Sequence, residues 1–224
     1  MTLAKAKPFK TQRKPRGAGH LRRGEILIAA ESIFLREGYQ GTTIRKIAEE
    51  VGVSSAALYI HFTDRAAILL AICENALSVQ LASNNEIAIR PLDSASKVRL
   101  MLEAYMRFGL ENPNAYRLVY MSRPVEGLGA TSPQLRSIAA LCYECFRSEV
   151  ANMEADGLLP VGKADLAAHI LWSACHGLVA LRICQIGLAW EDTTVLMDAM
   201  LDSVFNGLVA HVGAWSPGAA SRPL

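Results

Sequence analysis

The sequence predicts an all-α fold with a small N-terminal helical domain followed by a larger helical bundle. Three observations support this prediction. Apolar residues make up 51% of the 224 residues, which is ample for a well-packed core. Long segments rich in Ala, Leu, Ile and Met contain few β-branched runs, and unbranched side chains lose little rotamer freedom in a helix. From Leu21 onward, apolar residues recur at helical spacing.

The N-terminal third is the basic part of the chain. Residues 1–19 combine Lys, Arg, Pro and Gly without periodicity, so we expect a flexible basic arm. The first helix is predicted over about 20–37 and ends at Gly38. Residues 1–65 hold 12 Lys and Arg against 6 Asp and Glu, whereas the rest of the chain holds 11 against 15. This asymmetry is expected if the N-terminal third meets a polyanion.

Two short helices follow, joined by a turn that contains glycine. Thr42 or Thr43 can cap a helix of about seven residues, which ends at Gly52, and Ser54 can cap the next helix. This arrangement is typical of a helix-turn-helix. We therefore expect residues 20–66 to form a three-helix DNA-binding domain.

The segment "TTIRKIAEEVGVSSAALYIHFTDRAAIL" resembles the DNA-binding region of the TetR family of bacterial transcriptional repressors. The family pattern has Thr-Thr, Ile-Ala in the first short helix, a Gly-Val-Ser turn, and Leu-Tyr-x-His-Phe in the second. The match spans about residues 20–73. Three positions depart from the pattern: Ala56 stands where Gly is frequent, Ala57 where Thr or Ser is frequent, and Arg65 where Lys is usual.

The predicted DNA contacts divide into base readers and phosphate contacts. Arg45 can pair with guanine O6 and N7 through its planar fork, and the start of the second short helix faces base edges. Tyr59 and His61 can donate to phosphates, which sets orientation and affinity without reading sequence. Leu58 and Phe62 are predicted core anchors. The predicted DNA-binding residues are Thr43, Arg45, Ser54, Ser55, Ala57, Tyr59, His61 and Arg65.

The rest of the chain predicts a helical ligand-binding and dimerisation domain over residues 67–212, followed by a frayed tail at 213–224. The segment "SNNEIAIRPLDS" is the best candidate for a loop or domain boundary, because it gathers Ser, Asn, Pro and Asp. The predicted helices cover about 64–82, 93–111, 113–122, 132–156, 163–187 and 191–212.

Aromatic and polarisable side chains in these helices suggest a pocket for a small apolar or aromatic inducer. The alternative for each residue is core packing. The motif "LWSACHG" resembles the subgroup of TetR-type regulators named for a Trp, His and Gly. The predicted ligand-binding residues are Tyr105, Phe108, Tyr116, Tyr120, Met121, Tyr143, Phe146, Trp172 and His176.

The last two long helices have apolar faces too broad for a monomer, which predicts a homodimer that binds a palindromic double-stranded DNA operator. We expect a ligand-responsive cytoplasmic repressor with no membrane span, cofactor, metal site or enzymatic activity. Two alternatives remain: a thiol-sensing regulator, since the chain has five cysteines, and a non-specific architectural DNA binder. The sequence does not identify the operator, the regulated genes or the inducer, nor does it separate repression from activation.

Overall fold

A computed structural model of the chain describes residues 19–121, 132–185 and 187–210. The regular elements within these ranges are helices, so the all-α prediction is confirmed there. In chain order they are α1 (Gly19–Gly41), α2 (Ile44–Val51), α3 (Ser55–Tyr59), α4 (Arg65–Ala88), α5 (Ser94–Glu111), α6 (Pro113–Tyr116), a π-helical turn (Arg117–Met121), α7 (Pro133–Ala155), α8 (Ala164–Cys184) and α9 (Thr193–Ala210).

Helix α1 is interrupted at the glycine where the sequence predicts its end. Gly38 has φ 70° and ψ 174°, a backbone region that glycine adopts readily and other residues avoid. A short helical stretch then continues to Gly41. The predicted stop at Gly38 therefore marks a break within α1 and not the end of the helix.

Helix α4 runs further than predicted, and the predicted loop over the Asn-rich half of "SNNEIAIRPLDS" is wrong. The helix continues to Ala88 because one of the Asn residues there is buried and hydrogen-bonded. Asn84 is 3% exposed; its amide donates to the Cys142 carbonyl at 3.3 Å and its Oδ1 accepts from Gln80 at 3.1 Å. Ile87 is buried as well, so this turn has an apolar anchor.

The chain forms two compact units, and the first comprises Met1–Ala76 together with Asn114–Arg136. Its described core is assembled from the first four helices, whose inward side chains are almost wholly buried. Leu118, Val119 and Leu135 pack against this core from the second segment of the unit. The central core residues, each at most 1% exposed, are Ile26, Ala30, Ile33, Ile47, Ala48, Leu58 and Ile68.

The second unit comprises Leu77–Pro113 together with Ser137–Leu224. Within it α5 packs on α8 and α9, and α8 packs on α9. The largest buried side chains at its centre are Met101, Met106, Met153, Leu171 and Leu201. The predicted basic arm up to residue 18 and the tail at 213–224 lie outside the described residues. The predicted domain boundaries at 20–66 and 67–212 stay predictions.

Helices α4 and α8 are long and apolar enough to cross a membrane by length and composition alone. The core helix of a water-soluble protein satisfies the same criteria. Both helices contribute buried side chains to the units described above, including Ile68 and Ile72 of α4 and Leu171 and Val179 of α8. This packing accounts for their hydropathy.

Candidate nucleic-acid interface

The turn between α2 and α3 is held by the caps that the sequence predicts. Thr43 has extended φ and ψ, and its hydroxyl accepts from the Lys46 amide at 3.2 Å. Gly52 ends α2 with φ 73° and ψ 35°, the left-handed conformation usual at this position. The Ser54 hydroxyl accepts from the Ala57 amide at 3.1 Å and starts α3. The predicted helix-turn-helix geometry is therefore confirmed.

Helix α3 is docked by the two anchors that the sequence predicts. Leu58 is 0% exposed and Phe62 is 5% exposed, and both belong to the core cluster of the first unit. The opposite side of α3 is in solvent, where Tyr59 is 55% exposed. His61 is half-buried, as are Ser55 and Ala57 near the start of the helix.

Ile60 is an exposed residue that the sequence analysis did not assign to the surface. Its side chain is 81% exposed, although its apolar character suggests core. The signal that could have identified it is spacing: Leu58 and Phe62 are four residues apart and share a helix face. Ile60 lies two residues from each of them and therefore points away from that face. Ile60 and Tyr59 therefore form one exposed surface beside the turn.

Arg45 is the outward-facing cation of α2. Its side chain is 83% exposed, and its Nε donates to Glu49 Oε1 at 2.8 Å. The pKa of Arg45 is raised by this hydrogen bond to Glu49 and by the attraction of the carboxylate. The guanidinium is thus charged and accessible, and its Nε is held by Glu49.

Lys46 lies one residue further and is turned the other way. Its ammonium group donates to the Gly41 carbonyl at 2.8 Å and forms an ion pair with Glu37. In the structure Lys46 closes the end of α1.

Arg65 stands at the first position of α4, and its guanidinium faces the junction between α1 and α2. Its Nη1 donates to the carbonyl oxygens of Thr42 at 2.8 Å, Tyr39 at 3.1 Å and Gln40 at 3.3 Å. Its Nη2 donates to Gln40 Oε1 at 3.2 Å, and the group stacks 4.3 Å from the centre of the Tyr39 ring. The DNA contact predicted for Arg65 stays a prediction. In the structure its guanidinium is hydrogen-bonded within the protein.

The second unit brings together four of the predicted ligand-binding residues. The Tyr105 hydroxyl lies 3.1 Å from His176 Nδ1, and burial lowers the pKa of His176 below its usual value, which favours the neutral imidazole. The Trp172 ring centre is 6.4 Å from that of His176 and 5.9 Å from that of Tyr143. His169, which the sequence analysis missed, stacks on Tyr143 at 6.0 Å; it lies three residues before Trp172, on the same side of α8.

The remaining predicted ligand-binding residues lie elsewhere. Phe146 is buried in the second unit and Phe108 is half-buried there. Tyr116, Tyr120 and Met121 belong to the first unit, where Tyr116 is fully buried and its ring centre is 4.9 Å from that of Tyr120. The predicted set is therefore divided between two packing environments.

Three of the five cysteines are too deeply buried to provide a reactive thiolate at neutral pH. Burial raises the pKa of Cys73 and Cys142 to about 11 and that of Cys175 to about 12. Redox-sensing cysteines have lowered pKa values because the thiolate is the reacting species. Cys184 is exposed. Within the described residues, no group of His, Cys, Asp and Glu could hold a metal ion.

Comparison with known proteins gives two family matches. Residues 26–72 match bacterial regulatory proteins of the tetR family, and residues 98–204 match a tetracyclin repressor-like C-terminal domain. The first match contains the caps, the turn and the exposed surface of α3 described above.

Among curated relatives, the transcriptional activator FasR of Mycolicibacterium smegmatis is 26% identical over 162 residues, which cover 72% of this chain and 69% of FasR. The nucleoid occlusion factor SlmA of Aliivibrio fischeri is 34% identical over 177 residues, which cover 78% of this chain and 86% of SlmA. The match to SlmA of Vibrio cholerae spans half of that protein's length.

Among solved structures, the regulator FadR of Bacillus subtilis, in complex with stearoyl-CoA, superposes with a TM-score of 0.68. The chains are 16% identical, and the superposition covers 82% of this chain and 98% of FadR. At this identity the likeness concerns the fold.

Proposed function

Because this chain belongs to the TetR family of DNA-binding bacterial transcriptional regulators, we propose that it is a cytoplasmic homodimer that represses transcription from a palindromic operator until a small molecule releases it. The observation that carries the proposal is the capped helix-turn-helix, whose exposed side carries Tyr59 and Arg45. Selection of bound sequences from random DNA tests it. A palindromic consensus supports the proposal, and recovery of unrelated sequences contradicts it.

The chemistry of each side chain determines whether we assign it to a base or to a phosphate of the DNA. Arg45 reads a guanine through its fork, and Ser55 and Ala57 contact neighbouring base edges. Tyr59 and His61 donate to phosphates, since each combines a polar tip with a partly packed ring. Thr43 and Ser54 keep their hydroxyl oxygens on backbone amides while their hydroxyl hydrogens remain for phosphate oxygens.

The proposed homodimer forms through α8 and α9. Both helices carry exposed apolar side chains that a dimer could bury: Leu181 is 50% exposed, Val195 61% and Leu166 37%. Leu178 of α8 does not belong to this exposed face, because it is only 9% exposed and packs inside its own unit. A two-fold dimer would present two α3 helices to the two halves of a palindrome.

The proposed inducer is apolar or aromatic. The cluster of Tyr105, Tyr143, Trp172 and His176 supports an aromatic or acyl ligand, since it combines large rings with one neutral polar pair. FadR of similar fold was solved with stearoyl-CoA, which makes fatty acyl thioesters the first compounds to test. Isothermal titration measures whether acyl-CoA and aromatic compounds bind the protein. The compounds that bind are then tested for release of the protein from its operator. Compounds that bind without weakening operator affinity contradict an inducer role.

A second candidate function is suggested by the 34% identity to SlmA. That relative's name describes nucleoid occlusion, a role in which DNA binding by this chain would not have to serve a promoter. Genome-wide mapping of bound sites separates the two functions. Sites concentrated at promoters support a regulator, and sites distributed away from promoters support the second candidate.

A further inference from the structure

The junction between α1 and α2, defined here as residues 39–42, is held by two basic side chains from other positions. Four successive carbonyl groups of this junction accept hydrogen bonds from side chains. Arg65 donates to three of them, those of Tyr39, Gln40 and Thr42. Lys46 donates to the fourth, that of Gly41, at 2.8 Å.

Helix-terminal carbonyls need such partners for a physical reason. The last carbonyls of a helix have no intrahelical donor and carry the negative end of the helix dipole. Near this end of α1, Gly38 has a non-helical φ of 70°, which interrupts the regular helical hydrogen bonds. A cation placed there satisfies the carbonyls and interacts favourably with the dipole.

Thr42 and Tyr39 tie the junction to its surroundings through further contacts. Thr42 is 0% exposed, and its hydroxyl donates to the Gly38 carbonyl at 2.7 Å. The Tyr39 ring lies between the Arg65 guanidinium and Phe34, with ring centres 6.0 Å apart in the aromatic pair. The next residue along the chain is Thr43, the cap of α2. Whatever fixes the carbonyl of Thr42 therefore fixes the start of the helix that presents Arg45.

We propose that Arg65 is a positioning residue for operator recognition and not a phosphate contact. Its guanidinium sets the α1–α2 junction, and thereby the placement of α2 against the DNA, because Nη1 donates to three carbonyl groups while Nη2 donates to Gln40 Oε1 and the planar group stacks on the Tyr39 ring. A lysine ammonium at the same position could not make all of these contacts together. Only the planar fork of arginine offers several donors in fixed directions. This gives a physical reason for Arg at a position where the resembled pattern has Lys. The proposal rests on the proposed DNA-binding function, because its main readout is operator affinity.

The test uses the full-length protein, operator DNA selected from random sequence, and three variants. Arg65→Lys keeps the charge and loses the fork, and Arg65→Met loses both. Arg36→Met is the matched control, since Arg36 is an exposed α1 arginine whose described contact is the neighbouring Glu37 at 3.2 Å. Operator affinity is measured from 50 to 300 mM salt, per active dimer, on protein whose folded state is verified by circular dichroism.

A positioning role predicts that Arg65→Lys and Arg65→Met each lose about tenfold in affinity at every salt concentration, as expected for hydrogen bonds to a charged group. It also predicts an unchanged slope of log affinity against log salt, and near-wild-type binding for Arg36→Met. A phosphate contact predicts the opposite pattern. Arg65→Lys would then bind like wild type, and Arg65→Met would reduce the slope by about 0.9.

A second readout needs no DNA. Amide hydrogen exchange over residues 39–46 should accelerate in Arg65→Lys and not in Arg36→Met, while exchange in α8 stays at the wild-type rate. Unchanged exchange at the junction overturns the proposal. If no operator can be selected at all, the proposed function fails, and the exchange result still decides whether Arg65 holds the junction.

Discussion

Leu58 and Ile60 lie two residues apart, and their replacement by Ala should have very different consequences. Leu58 is 0% exposed and is the one residue of α3 classed as buried, whereas Ile60 is 81% exposed. Both substitutions shorten an aliphatic side chain of the same size. The pair therefore compares a docked face with a free face of the same segment.

The expected magnitudes follow from burial. Replacing a fully buried Leu by Ala costs about 2–5 kcal/mol, because the transfer free energy of the methyl groups is lost and a cavity remains. We expect about 3 kcal/mol for Leu58→Ala, which is about a hundredfold in the opening equilibrium of the first unit. For Ile60→Ala we expect about 0.5 kcal/mol or less, since the side chain is already in water in the folded state.

Amide hydrogen exchange on peptides covering residues 44–62 is the suitable assay. Trp172, Trp190 and Trp215 all lie in the C-terminal part of the chain, so tryptophan fluorescence would not report the opening of the first unit. Leu58→Ala should accelerate the slowest amides of these peptides about a hundredfold, and Ile60→Ala should leave them at the wild-type rate. Equal acceleration in both variants would show that α3 docks by another face.

Three further predictions concern the DNA surface, the α7–α8 connection and the ligand. Glu49→Gln should raise operator affinity, measured by filter binding, more than Glu50→Gln does. Both substitutions remove one exposed carboxylate, but only Glu49 holds Arg45, at 2.8 Å. Equal gains in affinity would mean that the Arg45–Glu49 ion pair does not restrain Arg45. Glu154 accepts three backbone N–H bonds between 2.7 and 3.1 Å at the start of α8, and these lower its pKa below 4.5. Its stabilising contribution is therefore present above pH 4.5 and lost as pH falls through the lowered pKa. The difference in urea stability between wild type and Glu154→Gln should be largest at pH 7 and shrink in acid; a difference independent of pH contradicts this cause. A bound aromatic or acyl ligand should change the fluorescence of Trp172, with Trp172→Phe as the control; a signal that survives in this variant places the ligand elsewhere.

Local chemistry explains why much of the helix-turn-helix could be predicted. The caps at Thr43 and Ser54 and the left-handed Gly52 depend on neighbours within four residues. The burial of Leu58 and Phe62 follows from spacing on one helix face. Each of these features depends on residues that lie within about ten positions of one another, so it could be predicted from the sequence alone.

The features that could not be predicted depend on contacts distant in sequence. The loop assigned to "SNNEIAIRPLDS" fails because the partner of Asn84 is the Cys142 carbonyl, 58 residues away. The direction of the Arg65 side chain is set by carbonyl groups 23 to 26 residues earlier. Leu178 belongs to a broad apolar stripe, and only the packing of the second unit decides that it faces inward.

Site-specific photocrosslinking tests the location of the DNA interface most directly. A photoreactive amino acid is placed at Tyr59 in one protein and at Ile89 in a control; Ile89 is 84% exposed and belongs to the second unit. Each is irradiated on the selected operator. Crosslinking from position 59 with none from position 89 is the predicted result. Crosslinking from position 89 without any from position 59 would show that the α2–α3 surface is not where this protein binds DNA.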